Sequence, residues 1–225
     1  MKGMVEMNII EFLLELVYPN VCGICEKIDK NSLCENCKLE IEKDIIAKID
    51  NYNKDTSKIF NKHGYIFRYY GHIRKLLIDY KFNNKSYLYK TFVQIILNNS
   101  NIINFIKSYD IIIAVPIHRK RFNNRGYNQS ELLAKEISKY LKKTNFRNDI
   151  LIKIKDNTAQ STLTRTERFL NVKDAYKIQN DNFIKEKRIL LIDDIYTTGN
   201  TVNECSRVLK QCGAKEIGVL TISKD

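Results

Sequence analysis

The sequence predicts an α/β protein with a largely parallel sheet flanked by helices, preceded by a small cysteine-containing module at the N-terminus. The second half of the chain alternates apolar strand-like runs with amphipathic helix-like segments, which is typical of parallel sheets. Two Cys-x-x-Cys motifs lie close together near the N-terminus. A polar, aperiodic segment, residues 50–58, follows them and is the best candidate for a linker.

Composition and charge limit the classes of protein that need to be considered. The chain has 225 residues, of which 44% are hydrophobic and 28% charged, as expected for one folded domain with a small additional module. The formal net charge of +12 suits a phosphate-rich partner, either nucleic acid or a phosphorylated metabolite. The alternative is that abundant lysine only makes the surface soluble.

The N-terminal segment predicts a helix rather than an export signal. Residues 9–17 place apolar side chains on one helical face, but Glu11 and Glu15 interrupt the stretch and no small-residue cleavage site follows. No stretch is long and apolar enough to span a bilayer. We therefore expect no membrane insertion and a cytoplasmic protein with reduced cysteines.

The two cysteine pairs predict a structural metal site. Two Cys-x-x-Cys turns can place four sulfurs at the corners of a tetrahedron around Zn²⁺ and leave no open coordination position for catalysis. A segment this small would take its folding energy from the metal. A redox pair and a chance cluster are the alternatives. The predicted ligands are Cys22, Cys25, Cys34 and Cys37.

The elements follow in order from the periodicity of apolar residues. Helices are predicted over residues 37–49, 72–82, 87–97, 128–141 and 201–211, and strands over residues 64–71, 109–117, 188–192 and 216–222. This order predicts an N-terminal helix and ribbon module in residues 1–49, a linker in 50–63 and an α/β domain in 64–225. In such a sheet, ligands bind beyond the carboxyl ends of the strands.

The stretch RILLIDDIYTTGNTV, residues 188–202, contains the candidate site. A buried strand over 188–192 is followed by Asp193 and Asp194, then by a turn of hydroxyls and glycine that opens into a helix. Two adjacent acids can accept hydrogen bonds from neighbouring hydroxyls of a sugar, or interact with Mg²⁺. The helix start can bind a phosphate through backbone N–H groups, with Gly199 allowing close approach. The candidate loop residues are Thr197, Thr198, Gly199, Asn200 and Thr201. Helix capping by one acid and a simple turn is the alternative.

A second candidate segment follows the strand over 109–117. Arginine side chains form forked contacts that suit pyrophosphate oxygens, and the same basic patch could bind a nucleic-acid backbone beside Phe122 and Tyr127. A solvated charged loop is the third alternative. His118 is a candidate acid or base, or a structural histidine. The basic residues are His118, Arg119, Lys120, Arg121 and Arg125.

These motifs resemble a known family. LLIDDIYTTGNT resembles the phosphoribosyl-pyrophosphate (PRPP) signature of type I phosphoribosyltransferases. The segments at 114–134 and 160–176, together with the N-terminal cysteines, are similar to the ComF/GntX family of phosphoribosyltransferase-like proteins. The resemblance covers nearly the whole chain and is weakest over residues 50–104. Lys153 and Lys155 stand where the family tends to have arginine.

The resemblance implies a role for each segment. Asp193 and Asp194 would bind the ribose 2′- and 3′-hydroxyls, and residues 197–201 would hold the 5′-phosphate. Pyrophosphate would lie at Pro116, Ile117, His118 and Arg119. A flexible loop around Gln160, Arg165 and Arg168 would close over the ligand. Mg²⁺ would enter with PRPP.

Two hypotheses follow for the function. The first is a PRPP-binding protein of the ComF type, linked to DNA uptake in natural competence. It could transfer a phosphoribosyl group to a nitrogen nucleophile, which leaves open whether the protein is an enzyme. The second is a non-catalytic accessory protein that binds single-stranded DNA or a competence helicase, with a regulatory or vestigial PRPP site.

Overall fold

The computed structural model describes residues 19–142, 145–156 and 172–225. Within these ranges it confirms an α/β fold with a mostly parallel sheet. The helix predicted for residues 9–17 and the predicted loop residues Gln160, Arg165 and Arg168 lie outside the described residues.

The helices and strands are numbered here in chain order. The helices are α1 (Glu35–Ile41), α2 (Gly71–Phe82), α3 (Leu88–Leu97), α4 (Ser100–Lys107), α5 (Arg119–Arg125), α6 (Gln129–Leu141) and α7 (Asn200–Gln211). A 3₁₀ turn covers Glu42–Asp44. The strands are β1 (Lys48–Asn51), β2 (Lys62–Arg68), β3 (Ile111–Ala114), β4 (Asn145–Arg147), β5 (Leu151–Lys153), β6 (Tyr176–Ile178), β7 (Arg188–Tyr196) and β8 (Glu216–Lys224).

Six of these strands form one sheet in the order β1-β2-β8-β7-β3-β4. Among the six strands of this sheet, only β1 and β2 pair antiparallel. The carboxyl ends of β7, β8 and β3 therefore lie at the same edge of the sheet. A separate antiparallel hairpin of β5 and β6 brings residues 151–153 beside residues 176–178. It therefore holds together the two sides of the segment predicted to be a flexible loop.

The sheet separates two apolar cores because alternate residues of a strand face opposite sides. Leu190 and Ile192 of β7 pack with helices α2, α3, α4 and α6, whereas Ile189 and Leu191 pack with α7. The first core also includes residues of the cysteine module, so the module is packed onto the sheet domain and not merely attached to it.

Residues 37–51 differ from the prediction. The predicted helix over 37–49 ends at Ile41, and the chain then enters the edge of the sheet as β1. The backbone N–H groups of Ile46 and Ala47 both donate to the carbonyl of Ile66, and Ala47 has a positive φ of 41° that ends helical geometry. Pairing with β2 at the edge of the sheet thus outweighs the helix propensity of residues 48–51. The predicted domain division at residues 49 and 63 stays a prediction, and β1 lies across the first of these boundaries.

Among the described residues, no helix combines the length and the apolar character that crossing a bilayer would need.

Candidate functional site

The two adjacent acids lie inside β7 and not after it. The strand continues to Tyr196 because β8 provides pairing partners as far as Lys224, and Asp193 stands opposite Thr221. The prediction that the strand ends at residue 192 was therefore wrong by four residues. The acids still lie towards the carboxyl end of a central strand, where parallel sheets bind ligands.

The two carboxylates are oriented by different partners. Asp193 Oδ1 accepts hydrogen bonds from Ser130 Oγ at 3.0 Å and from the N–H of Asp194 at 2.9 Å. Asp194 Oδ1 accepts from the N–H of Ile195 at 2.7 Å and lies 2.9 Å from Lys81 Nζ. Asp194 is only 5% exposed, so this ion pair is largely removed from water. The acids are consequently held in fixed positions by α6 and α2.

The surroundings of Asp193 disfavour its charged form. Burial raises its pKa to about 7, the neighbouring charge of Asp194 adds to this, and Lys81 opposes it. Two carboxylates in adjacent positions need a positive partner or a hydrogen-bonding ligand to be ionised together at neutral pH. The pair is therefore prepared to accept hydrogen bonds from a diol or to interact with a cation.

The start of α7 faces the same pocket as Asp193. A small pocket of about 30 Å³ is lined by Asp193, Ile195 and residues 196–202. The N-cap is Gly199, which has a positive φ of 74° and makes no side-chain cap hydrogen bond. The N–H of Asn200, the first residue of the helix, donates to Thr198 Oγ1 at 3.5 Å. Backbone N–H groups and the positive end of the helix dipole thus face the pocket, which suits an anion. The five predicted loop residues lie together here, from Thr197 to Thr201.

Position 199 needs a glycine for two reasons: its φ angle is positive, and the ring of Tyr196 leaves no room for a side chain. A Cβ atom at this position would overlap the ring of Tyr196, which lies under the turn. Tyr196 itself packs against the buried His63, with ring centroids 4.4 Å apart. The shape of the loop therefore depends on an aromatic side chain of β7 that sequence reasoning did not single out.

The segment Pro116, Ile117, His118 and Arg119 follows β3 at the same edge of the sheet. Asn128 joins this segment to the acids, because its Nδ2 donates to the carbonyl of Val115 at 3.1 Å and its Oδ1 accepts from the N–H of Ser130. Ser130 in turn donates to Asp193. The structure thus brings the two predicted loops to neighbouring strand ends.

The predicted basic loop after His118 is a short helix, α5. His118 is its N-cap and its Nδ1 accepts from the N–H of Lys120 at 3.3 Å. The same nitrogen lies 3.6 Å from Asp156 Oδ1, and Lys120 Nζ lies 3.4 Å from Asp156 Oδ2. The His118 ring nitrogen thus lies between the backbone N–H of Lys120 and the carboxylate of Asp156.

The remaining residues of this patch are not equally available. The guanidinium of Arg125 lies 5.2 Å from the centre of the Phe82 ring and donates to Gln129 Oε1, so it is partly a packing residue. Tyr127 donates to the carbonyl of Tyr80 and is half-buried, which disfavours the stacking role that its sequence position suggested. Phe122 remains 45% exposed.

Lys153 belongs to the same region. It extends from β5 with its Nζ 5.3 Å from the centre of the Tyr176 ring. Burial lowers its pKa, the positive charge of Arg121 adds to this, and Asp193 partly opposes it. Lys153 is therefore a half-buried lysine near Asp193.

Some residues of the site were missed by the sequence reasoning. Lys81, Ser130 and Tyr196 contact the acids or the loop, but each is recognisable only through its tertiary neighbours. Lys81 did give one signal, since it lies four residues after the buried Leu77 on the apolar face of α2. A lysine on the apolar face of a helix indicates an acidic partner on the surface against which that face packs.

The four predicted cysteines form a single cluster. Their Sγ atoms all lie within 4.8 Å of one another, and the Sγ atoms of Cys25 and Cys34 are 3.8 Å apart. Tetrahedral Zn–S bonds of about 2.3 Å would place sulfurs about 3.8 Å apart. The N–H of Cys34 points to Cys22 Sγ at 3.4 Å, as expected for a sulfur that carries negative charge. The donor set therefore could hold a metal ion with four sulfur ligands.

The cysteine cluster is attached to α3 and the loop before it. Thr91 Oγ1 donates to the carbonyl of Ser32 at 2.6 Å, and Ser32 Oγ donates to Gln94. Lys85 lies 2.6 Å from Glu26 Oε1 and 3.2 Å from Asp79 Oδ2, which connects the cluster to α2. The module is thus linked by direct contacts to α3 and to α2, the helix that carries Lys81.

Comparison with known proteins agrees with this geometry. Residues 128–225 match the phosphoribosyl transferase domain family, and this range includes β7, α7 and β8. The part of the chain that carries the paired acids and the start of α7 is thus similar to a phosphoribosyl transferase domain.

Two relatives extend the match to almost the whole chain. Competence protein F of Haemophilus influenzae is 27% identical over 216 residues, covering 94% of this chain and 93% of the relative. Competence protein ComFC of Streptococcus pneumoniae is 29% identical over 202 residues, covering 89% and 79%. DNA utilization protein YhgH of Escherichia coli O157:H7 is 30% identical over 110 residues, about half of each chain. The chain is a homologue of these ComF-type proteins, and the resemblance drawn from its motifs is confirmed.

Proposed function

We propose that this protein binds PRPP at the edge formed by β7, β3 and the start of α7, as a ComF-type protein that acts in DNA uptake. The observation that supports this most directly is the pocket that Asp193 shares with Gly199 and the start of α7. A ribose carrying a 5′-phosphate has a diol and an anion, and these two features match the acids and the helix start. The proposed role in DNA uptake is inferred from relatives named as competence proteins and as a DNA utilization protein.

In this proposal each segment of the ligand has its own partners. Asp193 and Asp194 accept hydrogen bonds from the ribose hydroxyls, and residues 197–201 hold the 5′-phosphate. The segment Pro116–Arg119 lies beside the pyrophosphate, whose Mg²⁺ neutralises its charge. Lys120, Arg121 and Lys153 add positive charge around it. The predicted residues Gln160, Arg165 and Arg168 would cover the ligand.

The chemistry available to such a site is displacement at the anomeric carbon. The C1–O bond to pyrophosphate breaks, a nitrogen nucleophile forms the new C1–N bond, and the nucleophile's proton passes to solvent. Positive charge develops on the sugar in the transition state, as in glycoside hydrolysis, and the nearby carboxylates would stabilise it. Whether a nucleophile is recruited, or PRPP acts as a regulatory ligand, separates the catalytic hypothesis from the accessory one.

The accessory hypothesis is favoured by one observation, the net charge of +12 together with the basic residues around α5. In that alternative the protein binds single-stranded DNA or a helicase and does not transfer a group. Affinity for DNA without any response to PRPP would favour it.

The cysteine cluster is assigned to zinc in this proposal. Four thiolates with no open position suit a structural Zn²⁺ ion, which would hold the N-terminal module together. It would supply no catalytic chemistry at the sugar site.

Calorimetric titration with Mg²⁺-PRPP tests the ligand. We expect saturable binding by the wild type and binding weaker by about tenfold or more in Asp194→Asn, because the variant loses the charge that strengthens hydrogen bonds from a diol. Asp181→Asn, an exposed position away from the pocket, is the matched control and should bind like the wild type. No heat at millimolar PRPP in the wild type, or equal binding by Asp194→Asn, would contradict the proposal.

A further inference from the structure

Lys81 forms an unusually well-shielded ion pair with one of the two acids. Its Nζ lies 2.9 Å from Asp194 Oδ1, and the two side chains are only 25% and 7% exposed. Surface ion pairs contribute little to stability, but removing one partner from a shielded pair leaves the other charge without compensation. The lysine comes from α2, in the part of the chain where the family resemblance was weakest.

The position of Lys81 is fixed from both sides along α2. Tyr80, which is fully buried, donates from its hydroxyl to the carbonyl of Gln129 at 2.8 Å, and its own carbonyl accepts from Tyr127. One residue earlier, Asp79 accepts a hydrogen bond from Asn83 at 2.7 Å and pairs with Lys85. These contacts hold the end of the helix in place, so the ammonium group is aimed at Asp194 by the fold.

Other charged groups around the acids act from farther away. Arg125 and Lys153 influence the pair through longer-range charge, and Tyr80, Tyr176 and Cys205 are buried beside it. Within the described part of the chain, only Lys81 pairs with either acid at a distance below 4.0 Å. Its contact with Asp194 uses the same oxygen that the N–H of Ile195 holds. This arrangement fixes the rotation of the carboxylate.

We propose that Lys81 is a positioning residue for the sugar diol: its ammonium group holds Asp194 as an oriented carboxylate, and does so without contacting the ligand. This inference rests on the proposed function, because it assigns a task at the same site. The oriented carboxylate would make the site selective for sugars that have both hydroxyls. A carboxylate held at a fixed angle can favour a ligand with two neighbouring hydroxyls over one that lacks a hydroxyl.

The test measures the affinities of ribose 5-phosphate and 2-deoxyribose 5-phosphate by calorimetry in four proteins: the wild type, Lys81→Met, Asp194→Asn and the double variant. We expect Lys81→Met to lose about tenfold or more in affinity for ribose 5-phosphate, and much less for the deoxy sugar. In the Asp194→Asn background, Lys81→Met should change either affinity by less than about twofold, because its effect passes through Asp194.

Two further variants separate positioning from folding. Lys81→Arg keeps the positive charge and should recover most of the affinity for ribose 5-phosphate. Lys90→Met, at an exposed position of α3, is the matched control and should bind like the wild type. If Lys81→Met lowers both affinities equally, or changes neither, while the wild type binds normally, the inference fails and the proposed function stands. If the wild type binds neither sugar nor PRPP, both fail together.

Discussion

At the level of single residues, Asp193 lowers the stability of the folded protein when it is ionised. Its half-buried carboxyl group lies beside a second acid, and its pKa is raised to about 7. A carboxyl whose pKa is higher in the folded than in the unfolded protein binds protons preferentially in the folded state. Its contribution to stability is therefore greatest below the unfolded pKa of about 4 and is lost as the pH rises through about 7. At neutral pH and above, ionised Asp193 destabilises the protein.

We therefore expect Asp193→Asn to stabilise the ligand-free protein. The amide keeps an oxygen that can accept from Ser130 and removes the partly desolvated charge. Differential scanning calorimetry at about pH 8 should show a Tm about 5 °C higher than that of the wild type, with the difference shrinking towards about pH 4. Asp181→Asn should show no such gain. An unchanged or lower Tm at about pH 8 would show that ionising Asp193 costs nothing in the folded state.

Single residues were predicted from the sequence where their chemistry is local. The four cysteines and the two adjacent acids can be recognised in the sequence by residue type and spacing. The structure brings the four cysteines together and places Asp193 in one pocket with residues 196–202. Lys81 and Tyr196 could not be recognised in the same way, because their roles arise from contacts with distant residues. Nothing in the spacing of a lysine along α2 specifies which strand it will meet.

At the level of elements, the least predictable feature was where each one ends. β7 continues through the acids because β8 continues beside it, and α1 stops early because the edge of the sheet takes up the following residues. Both outcomes depend on a neighbouring strand and not on local propensity. The alternation of strands and helices was predictable because burial on both faces of a parallel sheet leaves a periodic pattern in the sequence.

The turn before α7 gives an element-level prediction. Gly199→Ala should destabilise the protein more than Gly126→Ala, although both glycines have positive φ angles of 74° and 80°. A Cβ at residue 199 meets the Tyr196 ring, whereas one at residue 126 meets open space. The difference in the free energy of unfolding from urea titration should be about 1–3 kcal/mol. Mg²⁺-PRPP affinity should fall in Gly199→Ala alone. Equal losses of stability would mean that the Tyr196 ring moves aside.

At the level of the whole molecule, the cysteine module and the sheet domain share one apolar core. Cys22, Leu33, Cys37 and Ile41 pack in the same cluster as side chains of α2, α3 and α4. The sequence predicted the module and the domain but could not predict this packing, since neither segment specifies how its apolar face meets the other.

We expect metal removal to affect the entire chain. Elemental analysis should find about one zinc per chain, lost in Cys34→Ser. Treatment with a chelator should then lower the Tm of a single thermal transition, because unfolding of the module exposes part of the common core. Cys212→Ser, outside the cluster, should keep both the metal and the Tm. A separate early transition, with the main one unchanged, would show that the module melts independently.

The position of β8 has a consequence for how the chain acquires its shape. This strand lies between β2 and β7, so Lys62 is aligned with Gly218 and Arg188 with Glu216. The β2–β8 contact joins distant parts of the sequence and forms slowly, because a long loop must close first. Until residues 216–224 have been translated and inserted, β2 and β7 both present unpaired edges that can associate with other chains. A nascent chain of this protein should therefore be prone to associate with other chains until β8 has been inserted.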